Sequence, residues 1–418
     1  MSARENLALN PANGASTERT KTSSSPLTRR HLLRIVGGTS AFIAVAAVVG
    51  GGARAVDQGV FETGQGTAYS AWDDWRPKAG EGPLDMVRMA VLAANAHNTQ
   101  PWLFHVGPDG VDLFADITRG TGANDPLGRE LVISLGCALE NLTLSASPSC
   151  FAASATLFPN PVDSNHVAHV DLVPGESAPS ALYDAIPHRH TNRGAYTDTP
   201  VTNETLGAMT KLNDDSELEI VWLTSPDVKR SFAALTVTAT EAYIADTQQS
   251  VDSFKWWRGD WDALQVHKDG ITIDAGGLSP LTRALGKLVP AMSRETNDTY
   301  WLDGTKDQVS TAAAFGIIVA RDHRAAVQRL GAGRLFQRLN LWATTEGLAM
   351  QPINQTVERR DRELQLGIAP EIGQALNDFM PEAGWQAVLP FRIGYPRELA
   401  LKSPRRPAED VVTPGTAA

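Results

Sequence analysis

Cysteine is almost missing from this 418-residue chain: Cys137 and Cys150 are the only two. That excludes a disulfide framework or a cysteine-built metal centre as the organising device. Placed on one helix, with ~1.5 Å of rise per residue, the two would lie roughly 20 Å apart, so both read as small buried apolar residues. Positive charge is also scarce. Lys and Arg number 37 against 47 Asp and Glu, a formal net charge of −10, which argues against a nucleic-acid partner, because such a partner needs a basic surface to displace counterions. Any anionic ligand must therefore be met by a local arginine cluster. What remains is ordinary for a folded chain. Hydrophobic residues make up 42% and charged residues 20%, and the length suits two domains plus a processing segment.

The N-terminus reads as an address. Residues 1–27 are rich in Ser, Thr, Asn and Pro, and Thr28-Arg29-Arg30-His31-Leu32-Leu33-Arg34 precedes an apolar stretch from Ile35 to Val49. With Ala53-Arg54-Ala55 as a small-x-small cleavage pattern, residues 1–55 resemble a twin-arginine signal peptide cut before Val56. The expectation is export to the periplasm or another extracytoplasmic place through the twin-arginine translocase, or retention by residues 35–52 as an anchor. That translocase carries folded proteins, so a cofactor bound before export is expected as well.

Behind the signal, the chain matches itself. Gly136 falls on Gly333, and from there GCALENLTLSASPSCFAAS lies on GRLFQRLNLWATTEGLAMQ, with Leu142 on Leu339, Leu144 on Leu341 and Ala152 on Ala349. Each copy reads as an amphipathic helix followed by a strand-like run. Helices are expected at Leu84–Ala94, Arg129–Ala146, Asn203–Leu212, Val228–Thr247 and Ala325–Glu346, and strands at Leu103–Val106, Val111–Ala115, Leu218–Thr224, Ala313–Ala320 and Ala387–Ile393. The fold class is α+β in two tandem halves, 56–185 and 186–418. A Trp- and Gly-rich stretch, residues 254–302, fits neither copy and reads as an irregular, lid-like insertion.

Three clusters carry chemistry. Ala93-Ala94-Asn95-Ala96-His97-Asn98-Thr99-Gln100-Pro101-Trp102 puts short amides on a loop between a helix and a strand. Arg189-His190-Thr191-Asn192-Arg193 brings two guanidiniums and a hydroxyl together, the makings of a phosphate clamp. The third is split between Glu346-Gly347-Leu348 and a tail holding Arg392-Ile393-Gly394-Tyr395-Pro396 and Ser403-Pro404-Arg405-Arg406-Pro407. His188 and His190 lack a carboxylate or third ligand nearby, so no metal site is expected.

Together these clusters resemble the signatures of the FMN-dependent nitroreductase family: Asn-x-Gln-Pro-Trp, an opening Arg-x-Ser-x-Arg, and a closing Ile-Gly-Tyr-Pro with a later Arg. Ala94-Asn95 stands where the family has Pro-Ser. The resemblance implies two nitroreductase-like halves, each a mainly antiparallel sheet flanked by helices, folded as an intramolecular pseudo-dimer. It implies one FMN, contacted by Asn95, Asn98 and Gln100 from the first half and by Arg189, Thr191, Arg193, Glu346, Gly347 and Arg405 from the second. No catalytic acid or base can be named. The implied activity passes hydride from a reduced nicotinamide or other small donor to a nitroaromatic, quinone or similar acceptor. The alternative is a protein that holds or sequesters FMN beneath the insertion. A third reading is a relic with an empty pocket, in which the arginines scatter.

Overall fold

The computed structural model describes residues 51–75, 82–107, 110–178, 180–289 and 292–413. Helix α1 (Gly51–Asp57) spans the expected cleavage site. Helix α2 (Pro83–Ala90) opens on a proline, whose missing N–H costs nothing in a first turn. A loop leads to the hairpin β1 (Trp102–Val106) and β2 (Gly110–Ala115), in which Trp102, Phe104, Val111 and Leu113 face the core. Then follow α3 (Arg129–Leu144), β3 (Phe151–Leu157), β4 (His166–Pro174) and the short α4 (Ala181–Ala185). All strand pairs are antiparallel and the order is β1-β2-β4-β3.

The second half repeats that plan. Helix α5 (Asn203–Thr210) is capped by Thr202, whose hydroxyl accepts from the Thr205 amide at 3.1 Å. After β5 (Leu218–Leu223) the chain leaves the sheet for α6 (Pro226–Ala245), α7 (Thr247–Phe254), α8 (Trp261–His267), α9 (Pro280–Leu288) and α10 (Arg294–Ser310). It returns at β6 (Ala314–Ala320), whose seven residues are all buried. The remaining elements are α11 (Ala326–Thr345), β7 (Ala349–Pro352), α12 (Gln355–Leu366), α13 (Glu371–Asn377) and β8 (Gln386–Gly394), giving the order β5-β6-β8-β7. Each sheet thus visits its strands in the same sequence. Between β5 and β6, where the first half has a tight hairpin, the second half inserts α6 to α10.

Helices α3 and α11 form the central pair, and they approach at the two glycines that the sequence match equates. A Cβ on Gly136 would stand 2.1 Å from the Leu330 carbonyl oxygen, and one on Gly333 would stand 2.1 Å from that of Ile133. The contacts are reciprocal under the same residue correspondence, Ile133 falling on Leu330. Only glycine permits two helix backbones to come this close.

Three expectations change. Helix α3 stops at Leu144, so Cys150 is not on it. Cys150 is exposed, in a turn with φ of 64°, whereas Cys137 is buried as expected. Residues 254–302 are not structureless but hold α8, α9 and the first half of α10. The expected localisation, export with possible anchoring by residues 35–52, is corrected: among the described residues no helix is long and apolar enough to cross a membrane. Residues 1–50, with the paired arginines of the expected signal, lie outside the described residues. At the expected cleavage point Arg54 donates to the carbonyls of Leu288 and Val289 at 2.8 and 2.9 Å, tying α1 to the end of α9.

Candidate functional site: a loop, a tail and three arginines around a cavity

The loop after α2 is bent in a way its residue types resist. His97, Asn98 and Gln100 have φ of 48, 55 and 53°, a left-handed conformation that costs a non-glycine residue roughly 1–2 kcal/mol. Side-chain bonds hold it. Asn95 Oδ1 accepts from the Gln100 amide at 2.8 Å. Asn98 Nδ2 donates to the carbonyls of Gly270 and Pro404 at 3.1 and 2.9 Å, and its Oδ1 accepts from Nη1 of Arg405. Gln100, with no exposed surface, donates to the Lys268 carbonyl at 2.8 Å and accepts from the Arg406 amide at 2.7 Å. The loop is therefore sewn to the helical insertion on one side and to the C-terminal tail on the other.

That tail reaches the loop because it pairs with the first sheet. Phe104 donates to the Val411 carbonyl at 2.9 Å and accepts from the Thr413 amide at 2.8 Å, and the Trp72 indole donates to the Ser403 carbonyl at 2.7 Å. Arg405 is thereby carried beside Arg189. Arg405 is 4% exposed and Arg189 1%. Each donates to a carbonyl at the end of α2, Arg189 to Leu92 at 3.1 Å and Arg405 to Ala93 at 3.2 Å. The remaining donors Nε and Nη1 of Arg189 and Nε of Arg405 have no protein partner. Burial pulls Arg189 down to about 10, and burial together with Arg189 and Arg193 holds Arg405 well below the usual arginine range. Among the described residues no carboxylate offsets either charge. His190 lies against Trp72 at 4.6 Å, and burial followed by the neighbouring cations pushes it to about 3.

Next to these cations opens a cavity with about 1420 Å³ of empty space, part of it in contact with solvent. Thr191 and Arg193 face it from the second cluster, Asn95 and His97 from the loop, and Trp257, Tyr300 and Trp301 from the insertion. Its floor is acidic. Glu130 of α3 and Glu358 of α12 line it, 2% and 4% exposed, with His97 beside them, and the ligating atoms of the three lie within 4.8 Å of one another. Burial lifts Glu130 to about 7 and Glu358 well above the carboxylate range, while burial and then Arg193 push His97 to about 4.

Of the nine residues expected to touch a cofactor, Asn95, Thr191 and Arg193 line this cavity, and Arg189 and Arg405 stand together just outside its lining. Asn98 and Gln100 do not line the cavity, and their side-chain amides are engaged within the protein. Glu346 and Gly347 also lie off the cavity lining. Both are exposed at the end of α11, where Gly347, with φ of 69°, ends the helix. The cavity wall comes instead from the next segment, Gln351, Asn354 and Gln355, and Asn354 Oδ1 and Gln355 Oε1 have no protein partner. Sequence reasoning missed these and the two glutamates. One signal was available: Glu130, Ser134 and Cys137 recur at helical spacing on one face of α3, and all three line the cavity.

No family model matches the chain. A provisional NAD(P)H nitroreductase of Mycobacterium tuberculosis is 28% identical over 277 residues, covering 65% of this chain and 76% of its own length. A second such protein from that organism is 24% identical over 334 residues, 78% of this chain and 93% of its own. Among solved structures, a nitroreductase with bound FMN from Desulfitobacterium hafniense overlaps with a TM-score of 0.34 at 13% identity, covering 56% of this chain and 98% of its own. The FMN-dependent nitroreductase NfnB of Mycobacterium smegmatis, in complex with NADPH, gives 0.30 at 15%, covering 56% and 97%. Each of these solved chains spans little more than half of the present one. In sequence the chain is thus similar, distantly but consistently, to mycobacterial proteins named as NAD(P)H nitroreductases.

Proposed function

We propose that the chain binds one FMN in this cavity and works as a flavin-dependent oxidoreductase, moving two electrons between a small donor and a planar acceptor such as a nitroaromatic or quinone. The observation that carries the reading is the pair Arg189 and Arg405. Buried guanidiniums with free N–H groups and no carboxylate are costly unless an anion completes them, and a flavin phosphate is an anion of the right kind. Arg193 and Thr191 would add donors from the cavity wall. The isoalloxazine would lie toward the loop and the Gln351 to Gln355 segment, whose unpartnered amide oxygens suit the donor groups of its ring edge. FMN would supply the redox chemistry when bound. The protein's part is to hold it, exclude water and present the acceptor.

In this reading the chain is a fused dimer, with halves at 56–185 and 186–418 and a single site assembled from both. The mirrored glycine contacts and the shared strand order support the fused dimer, and the names of the mycobacterial relatives, NAD(P)H nitroreductases, support the redox role. A second reading is favoured by the insertion. Because Trp257, Tyr300 and Trp301 wall the cavity, the chain could instead keep FMN without turning over.

An absorbance spectrum of the purified chain, with released flavin identified and counted, tests the binding. Near one FMN per chain is expected, and a colourless chain that takes up no added FMN overturns both readings. Reduction by NADH or NADPH with reoxidation by a quinone then separates the enzyme from the holder.

A further inference from the structure

The flavin reading leaves the acidic floor of the cavity unused. Glu130 sits in the first turn of α3 and Glu358 in the first turn of α12, and both carboxyl groups are buried in the cavity wall with an oxygen of each within 4.8 Å of the other. Two buried carboxyls this close repel each other when both are ionised, and one of them is relieved of that repulsion by keeping its proton.

The surroundings favour keeping it. Arg129 Nη2 lies 3.5 Å from Glu130 Oε1, yet Arg129 is committed to Asp361 at 2.7 Å and to the Val388 carbonyl at 3.0 Å. Arg360 also pairs with Asp361, at 2.7 Å. Asp125, beside Arg129, adds a further buried carboxyl. From α6 the buried Tyr243 faces both glutamates, and from the loop comes His97, bonded to Ser253 Oγ at 3.2 Å. A divalent cation is the other way to reconcile two buried carboxyls. Here Arg193 acts on His97 and Arg129 borders Glu130, so a dication would enter between two fixed positive charges. A proton meets that repulsion with half the charge and satisfies the carboxyl contact directly.

We propose that Glu130 and Glu358 share one proton at neutral pH and that this pair is the acid of the cavity, donating to a two-electron acceptor bound against it. In the balanced step a reduced flavin supplies hydride, the pair supplies the proton, and the acceptor leaves as its dihydro form. Both carboxyls are then ionised until one takes a proton back from water. The hydride source rests on the preceding reading, whereas the shared proton is a property of this chain alone.

The test uses the full chain with its flavin counted. Infrared spectra between pH 5 and 9, in water and in heavy water, should show a protonated-carboxyl band at neutral pH that shifts on deuteration and fades at the alkaline end. Glu358→Gln and Glu130→Gln should each remove it while leaving the circular dichroism unchanged. In single-turnover reoxidation by a quinone, Glu358→Gln should be about 10²-fold slower, the size expected for losing a general acid, and should lose the solvent isotope effect. Absence of the band in the folded wild type overturns the proposal. So does added Zn²⁺ or Mn²⁺ that binds the wild type, spares Glu358→Gln and abolishes the band, since the site is then a cation site. A chain without flavin sinks the preceding reading, but the band and its loss in the variants still decide where the proton is.

Discussion

Asn98 Oδ1 accepts a hydrogen bond from Nη1 of Arg405, a residue 307 positions further along the chain. The bond joins the strained loop of the first half to the tail of the second, beside an arginine pair that no carboxylate among the described residues neutralises. If that pair exists to hold an anion, Arg189→Ala and Arg405→Ala should behave unlike the loss of an ordinary structural ion pair. FMN affinity should fall roughly tenfold or more for each, at about 1.5–3 kcal/mol per charge-assisted bond. The melting temperature of the flavin-free chain should hold or rise, because a buried uncompensated charge is removed. Equal affinity with a lower melting temperature would mean that the guanidiniums serve only the Leu92 and Ala93 carbonyls.

Gln100 makes the opposite case, a polar residue in a ligand-like motif whose partners are all internal. Gln100→Leu leaves the Lys268 carbonyl and the Arg406 amide unpaired, each costing about 1–3 kcal/mol. We expect a lower urea midpoint and faster proteolysis between α8 and α9 even without flavin. A variant that keeps the flavin-free stability and loses only FMN would restore Gln100 as a ligand.

The glycine crossing is tested by substitution on both sides. Gly136→Ala and Gly333→Ala each drive a methyl to 2.1 Å from a backbone oxygen, so each should destabilise by about 1–3 kcal/mol or more. Gly207→Ala in α5 meets nothing within 4 Å and should stabilise by about 0.4–1 kcal/mol. Urea midpoints for the three variants give the comparison, and a harmless Gly136→Ala would deny the close approach of α3 and α11.

Acid should weaken the fold through His190. The native side chain stays neutral down to about 3, whereas an unfolded histidine takes up a proton near 6.5. Between those values the unfolded chain binds more protons, so stability falls as pH drops from about 6.5 toward 3. Glu130, raised to about 7, acts with the opposite sign: it favours the native state at low pH and loses that contribution as pH rises through about 7. His190→Gln should flatten the acid limb of a plot of urea midpoint against pH. An unchanged limb would place the responsible proton elsewhere.

Sequence made the sheet and helix plan legible where period and punctuation agree. The hairpin from Trp102, the run of β6 and the long helices α3 and α11 lie within a few residues of their expected places. The insertion was misread because its tryptophans and glycines hide short helices whose stability comes from packing rather than periodicity. In the site, Arg189 stood out because it forms a local pattern with Thr191 and Arg193, whereas Arg405 was singled out only by resemblance to the family's closing Arg. At Glu346 and Gly347 the sequence could not separate a glycine that ends a helix from one that approaches a ligand, because the two look the same. Glu358 was invisible, and Glu130 offered only its helical spacing with Ser134 and Cys137: single acids on separate helices become a pair only once α3 and α12 are brought together.

The pairing of Phe104 with Val411 and Thr413 sets the order in which a ribosome can finish this protein. The first sheet has its own strands early, but the tail that borders β1, and Arg405 with it, follows every strand of the second sheet in the chain. Contacts of such span form late and slowly, so a nascent chain passes most of its synthesis with the loop at His97 to Gln100 lacking its C-terminal partners. The crossing at Gly136 and Gly333 can join the two halves before this, but the loop gains Arg405 and the Arg406 amide only when the tail has docked, so the anion-binding corner is the last part of the site to be completed.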